Sequence, residues 1–265
     1  MRRILARTLP AFAAIVALAC TMPRVARAFG DSGAFEPRIL VAGGTTGAAR
    51  PSAPGRWSWE LVQRTSAPAR LQPLHVRADE PSIVDGPFLW WSGASAVKAL
   101  TPQEISGLRR FFSLGGLLLV DDAGVEGESE TSAGLGAFGK TAREQIARVL
   151  PDSSPIALPQ EHAIYKSYYL VRRPEGRVPG PRTVEAIVRA GKPQVLYSAH
   201  DLGGALARTA SGTWEHAVMP GGDSQRERAI RLAVNIAMYV LCSNYKDDQV
   251  HAPFLMRRRA GALSP

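Results

Sequence analysis

Apolar and polar positions along the chain fall into two rhythms. "RILVAGG" (38–44) is a short apolar run stopped by glycines, which predicts a buried strand. "LQPLHVRAD" (71–79) alternates every second residue and predicts a half-buried strand. "PFLWWSG" (87–93) and "LLLVDD" (117–122) are apolar on both faces, the signature of strands covered from both sides. Between those two, Thr101-Pro102-x-Glu104 opens a helix: the threonine caps free N–H groups, proline suits the first turn, and the acid favours the dipole. Ile105, Leu108, Phe111, Phe112 and Leu114 form its inner stripe, and Gly115-Gly116 ends it. Strand, helix, strand with short links predicts a parallel crossover.

The same reading covers the rest of the chain. Helices are predicted over 56–66, over Gly139 to Leu150, and most strongly over 222–245. In the last, Ile230, Leu232, Ala233, Ile236, Ala237, Tyr239 and Val240 give a broad apolar face. Cys242 falls in this helix and is expected to be packed and inert. Segment 154–171 predicts an extended piece with a turn, and 183–204 two strands joined at Ala190-Gly191-Lys192. Residues 123–136, rich in glycine and acid, read as a flexible loop at the carboxyl edge of the sheet. Alternating strands and helices predict an α/β fold: a three-layer sandwich with a mainly parallel sheet.

The N-terminus changes the picture of the compartment. Arg2, Arg3 and Arg7 precede an uncharged apolar stretch from Leu9 to Ala19, and Ala26-Arg27-Ala28 offers a small-x-small cleavage site. The expectation is an exported, periplasmic protein cleaved after Ala28, since the apolar stretch is short of the ~20 residues a spanning helix needs. An uncleaved anchor and lipidation at Cys20 are the less favoured alternatives. The organisation is then 1–28 signal peptide, 37–245 α/β domain and 246–265 basic tail, with no transmembrane helix in the mature chain.

Net charge shifts accordingly. The formal +9 of the full chain includes five arginines within residues 1–28 and no acid there, so the remainder carries +4. Three of those charges are Arg257, Arg258 and Arg259, a solvated tail or a contact to anionic lipid or a partner. The body is near neutral, which argues against nucleic acid as a partner. After cleavage one cysteine remains, so no internal disulfide forms and the core alone must hold the fold.

The segments "GPFLWWSG", "LTPQEISGLRRFFSLGGLLLVDD", "LPQEHAIYKSYYL", "VLYSAHDLG" and "AIRLAVNIAMYVL" occur in an order that resembles the bacterial domain-of-unknown-function family numbered 4159, over roughly residues 37–244. That resemblance implies a flavodoxin-like fold of the class I glutamine amidotransferase type. It also implies a cell-envelope setting, beside membrane proteins with von Willebrand A modules. Glu161-His162-Ala163-Ile164-Tyr165 stands where the family commonly has Asp-His-Pro-Ile-Phe.

The candidate chemistry is sparse. An amidotransferase needs a nucleophile on a sharp strand-to-helix turn. Here the comparable strand end reads Asp121-Asp122-Ala123-Gly124, without Cys or Ser. Asp121, Asp122, His162, His200 and Asp201 all fall near predicted strand ends, and carboxylates with imidazoles suit a divalent metal that would activate water. The competing reading is structural: Asp after a strand caps turns, and core histidines bond backbone. Gly43-Gly44-Thr45-Thr46-Gly47 has the make-up of a phosphate cradle but lacks the Walker lysine, and a plain turn competes with it. Trp90 and Trp91 alternate faces, so at least one is core and the other is open to stacking on a sugar or peptide. Two function classes follow. The leading one is a non-catalytic binding or assembly component of an envelope system, with no predicted cofactor and an envelope or membrane protein as partner. The alternative is a metal-dependent hydrolase of an envelope amide or glycan that uses the five Asp and His residues.

Overall fold

The computed structural model describes residues 33–124 and 134–261, with side chains described as far as residue 243. The expected export signal and residues 125–133 of the expected loop lie outside the described residues. Seven strands form one sheet: β1 (Arg38–Val41), β2 (Leu74–Arg77), β3 (Phe88–Gly93), β4 (Leu117–Asp122), β5 (Ile156–Ala157), β6 (Glu185–Arg189) and β7 (Lys192–Ser198). Their order is β2-β1-β3-β4-β7-β6-β5. The first five in that order are parallel, and β6 and β5 add antiparallel pairs at one edge.

The central strands are apolar on both faces because both faces are covered. Ile39, Phe88, Trp90, Leu117, Leu119 and Leu196 pack in one layer with α1 (Ala53–Thr65), α4 (Leu202–Leu206) and α5 (Gly222–Gly261). Leu40, Leu89, Trp91, Leu118, Val120 and Val195 pack on the other with α2 (Pro102–Ser113) and α3 (Ala137–Val149). The side-chain period of two sends neighbours to opposite layers. Trp57 reaches across from α1 to Trp90, edge to face with ring centroids 5.0 Å apart, and its indole N–H donates to the Ala233 carbonyl of α5 at 2.9 Å. The three-layer α/β expectation therefore stands.

Local expectations fare unevenly. The α2 cap forms as read: the Glu104 N–H donates to Thr101 Oγ1 at 3.2 Å and Glu104 Oε2 accepts from the Thr101 N–H at 2.7 Å. Leu114 does not join the stripe; it follows the last helical residue and is 47% exposed. β6 and β7 form a hairpin whose two turn residues, Ala190 and Gly191, both have positive φ, as a type I′ turn requires. β5 shrinks to two residues because Pro155 and Pro159 bracket it. β2 is an edge strand with only Val76 buried.

Three expectations are corrected. Trp90 and Trp91 are both fully buried, one in each layer, so neither is open to a ligand. Cys242 is exposed rather than packed, because it lies two residues, about 200° of helical turn, beyond the buried Val240. The helix expected over 222–245 runs on to Gly261 as α5. Among the described residues no helix is long and apolar enough to cross a membrane.

Candidate functional site

The carboxyl ends of the parallel strands converge on one edge, and Asp121 and Asp122 close β4 there. Both are completely buried. Strand alternation sends them to opposite layers. Asp121 meets the start of α4: the Leu202 N–H donates to its Oδ1 at 2.9 Å and the Gly203 N–H to its Oδ2 at 2.8 Å. Asp122 meets the start of α3: it accepts from the Gly139 N–H at 2.9 Å and the Gly124 N–H at 3.0 Å. Each carboxylate thus ties the end of β4 to the start of a helix. Burial raises the pKa of both; for Asp121, burial first and the neighbouring Asp201 charge second push it up to about 7.

Asp201 caps α4 from a left-handed conformation, φ +49°, and accepts from the Gly204 N–H at 2.8 Å. It is fully buried, and two arginines clamp it. Arg50 Nη2 lies 2.7 Å from Oδ2 and also donates to the Ala123 carbonyl at 3.3 Å, while Arg177 Nε pairs with the same Oδ2. His200 precedes Asp201 but turns away. Its Nε2 lies 3.0 Å from the Pro181 carbonyl, and burial lowers its pKa to about 4, so the ring is neutral near pH 7.

His162 belongs to another neighbourhood. It caps the short turn Ala163–Tyr165, its Nδ1 accepts from the Ile164 N–H at 3.2 Å, and its ring rests on Tyr239 of α5. The structure thus brings Asp121 and Asp201 together, sends Asp122 to the opposite layer, turns His200 aside, and places His162 beside α5. Among the described residues no three His, Cys, Asp or Glu side chains are placed to hold a metal ion. Arg50 and Arg177, which complete the buried cluster, were not among the sequence candidates. Both lie in Pro/Gly-rich loops with no periodic pattern to reveal their inward reach.

A second feature occupies the same edge. The strand order reverses between β1 and β3, and in open α/β sheets ligands favour the crevice at such a point. A cleft of about 550 Å³ opens there between the Gly43–Gly47 loop after β1 and residues 92–98, the end of β3 and the segment that follows it. That volume lies within the range of small-molecule sites. Gly43 and Gly44 take φ +58° and +83°, which turns the chain sharply, and a Cβ on Gly43 would lie 2.9 Å from the Lys98 carbonyl oxygen. Glu104 Oε1 accepts from the Gly43 N–H at 3.0 Å, so the cap of α2 also holds this loop. His75 and Lys98, on the walls, were not among the sequence candidates either.

Comparison with family models places residues 37–241 in a match to a family described as a domain of unknown function (DUF4159). No curated protein matches the chain.

Proposed function

The chain belongs to the DUF4159 family, and on that premise we propose that it is a non-catalytic, amidotransferase-like binding or assembly component of the bacterial cell envelope. The observation that carries the reading is the state of Asp121 and Asp122. At the strand end where an amidotransferase-type fold places its nucleophile, this chain has two buried carboxylates, each accepting two backbone N–H groups. Groups held in that way fix loops, and each has less acceptor capacity left for a substrate or a metal. The sheet order supports the amidotransferase-like assignment, and residues 1–28 support export to the periplasm. The carboxyl edge of the sheet is the binding surface.

The test is turnover and metal content, measured together on the purified protein and its Asp122→Ala variant. The expected result is no hydrolysis of wall amides or glycans, no stoichiometric metal, and saturable association with envelope membranes. Near-stoichiometric metal that disappears in the variant, together with turnover, would establish the hydrolase alternative instead.

A further inference from the structure

We propose that the cleft between β1 and β3 binds the phosphate group of a small phosphate monoester, held by Lys98, His75 and the Gly43–Gly47 loop. The inference rests on reading the carboxyl edge as a binding surface and names the ligand class for one part of it.

Charge is the first argument. The cleft walls carry one lysine and one histidine and no Asp or Glu. Lys98 and His75 make no ion pair or side-chain hydrogen bond among the described residues, although the chain pairs many of its arginines with acids. Both lie against the glycines of the loop. A Cβ on Gly44 would sit 3.1 Å from Lys98 Cδ, and one on Gly47 would sit 3.2 Å from His75 Nε2. A side chain at either position would press the neighbouring Lys98 or His75 back by a few tenths of an ångström.

The second argument is the supply of donors. The N–H groups of Gly44, Thr46 and Gly47 make no hydrogen bond among the described residues, whereas those of Gly43, Thr45 and Ala49 are used to shape the loop. Thr46 and Ser95 add hydroxyls to the walls. Several free donors around one cation match a tetrahedral group with three terminal oxygens better than a planar carboxylate with two. The wall beside them is apolar, with Ile39, Pro51, Pro54 and Pro73, and takes the uncharged body of the ester.

The experiment is calorimetric titration of the purified protein with glycerol 3-phosphate at low salt, with acetate as the comparison anion. Wild type is expected to bind glycerol 3-phosphate saturably and acetate far more weakly. Lys98→Ala should weaken binding about tenfold, Lys98→Arg should restore most of it, and His75→Ala should cause a smaller loss. Circular dichroism confirms that each variant is folded. No saturable binding by folded wild type overturns the inference, as does equal affinity for acetate. An equal loss in Arg110→Ala, on the exposed end of α2, would mark diffuse charge attraction and overturn it too. Protein that associates with envelope membranes but binds no phosphate ester removes this inference and leaves the binding reading standing.

Discussion

At the ends of β4 and β7 the carboxyl edge is closed by its own hydrogen bonds, whereas at the ends of β1 and β3, the adjoining pair of strands, it stands open. In the closed region Asp121, Asp122 and Asp201 are buried and saturated by backbone N–H groups and two arginines. In the open region the side chains of Lys98 and His75 and three loop N–H groups have no hydrogen-bond or ion-pair partner among the described residues. The acids look like chemistry in the sequence and act as architecture in the fold. Donors left unsatisfied beside a cleft are the better guide to binding, because a satisfied polar group has little left to offer a ligand.

The comparison predicts unequal costs of mutation. Asp201→Ala removes the acceptor shared by Arg50, Arg177 and the Gly204 N–H, and places alanine at φ +49°. Breaking a buried pair costs about 3–5 kcal/mol; the arginines are about a fifth to a quarter exposed, so water tempers the loss to about 3 kcal/mol. Urea unfolding measures it, and Asp201→Asn, which tolerates the left-handed conformation, isolates the charge. A loss below about 1 kcal/mol would show that the cluster is not a clamp. Asp122→Ala leaves the Gly124 N–H after β4 and the Gly139 N–H at the start of α3 without their acceptor and should cost about 2 kcal/mol. Unchanged stability there would mean that the segment between β4 and α3 is held by other contacts.

Much of the fold was legible because it rests on local rules. Double-sided apolar runs marked β3 and β4, and the Thr101–Glu104 box marked α2, all before any long-range contact was considered. The site was less legible because its geometry depends on which layer each residue faces and which loop reaches it. Nothing near Arg50 in the sequence shows that it crosses to Asp201, 151 positions later. Asp121 and Asp122 are adjacent in sequence, yet strand alternation alone separates them. The glycine loop was visible, but Lys98 and His75 meet it only because β1 lies between β2 and β3.

Acid sensitivity sharpens the closed side. Asp121 keeps its proton in the folded state up to about pH 7, while the unfolded chain gives it up near 3.8. The folded state therefore binds more protons in that window, and this group makes stability fall as pH rises through it. His200 acts in the opposite sense. It stays neutral when folded down to about pH 4 but takes a proton below 6.5 when unfolded, so its contribution rises with pH between those values. The two oppose each other over pH 4–6.5. Asp121→Asn removes one of them. Whatever its mean stability, the variant should gain on wild type as pH climbs from about 4 to 7, read from thermal melts at matched ionic strength. Parallel curves would show that Asp121 is ionised throughout and that its two N–H partners outweigh its burial.

The open side gives the smallest expected change in stability and for that reason the cleanest separation. Lys98 is exposed and unpaired among the described residues, so Lys98→Ala should shift unfolding by no more than about 0.5 kcal/mol, the usual range for a surface change. The same substitution should remove most of the affinity for a phosphate ester. A residue that matters to binding but not to folding is the signature of the open region, just as Asp201 is expected to show the reverse. A Lys98→Ala variant destabilised as much as Asp122→Ala would erase the distinction. It would place the Lys98 stem against Gly44 as a structural strut, and the cleft would then be a part of the scaffold rather than a place left open for a ligand.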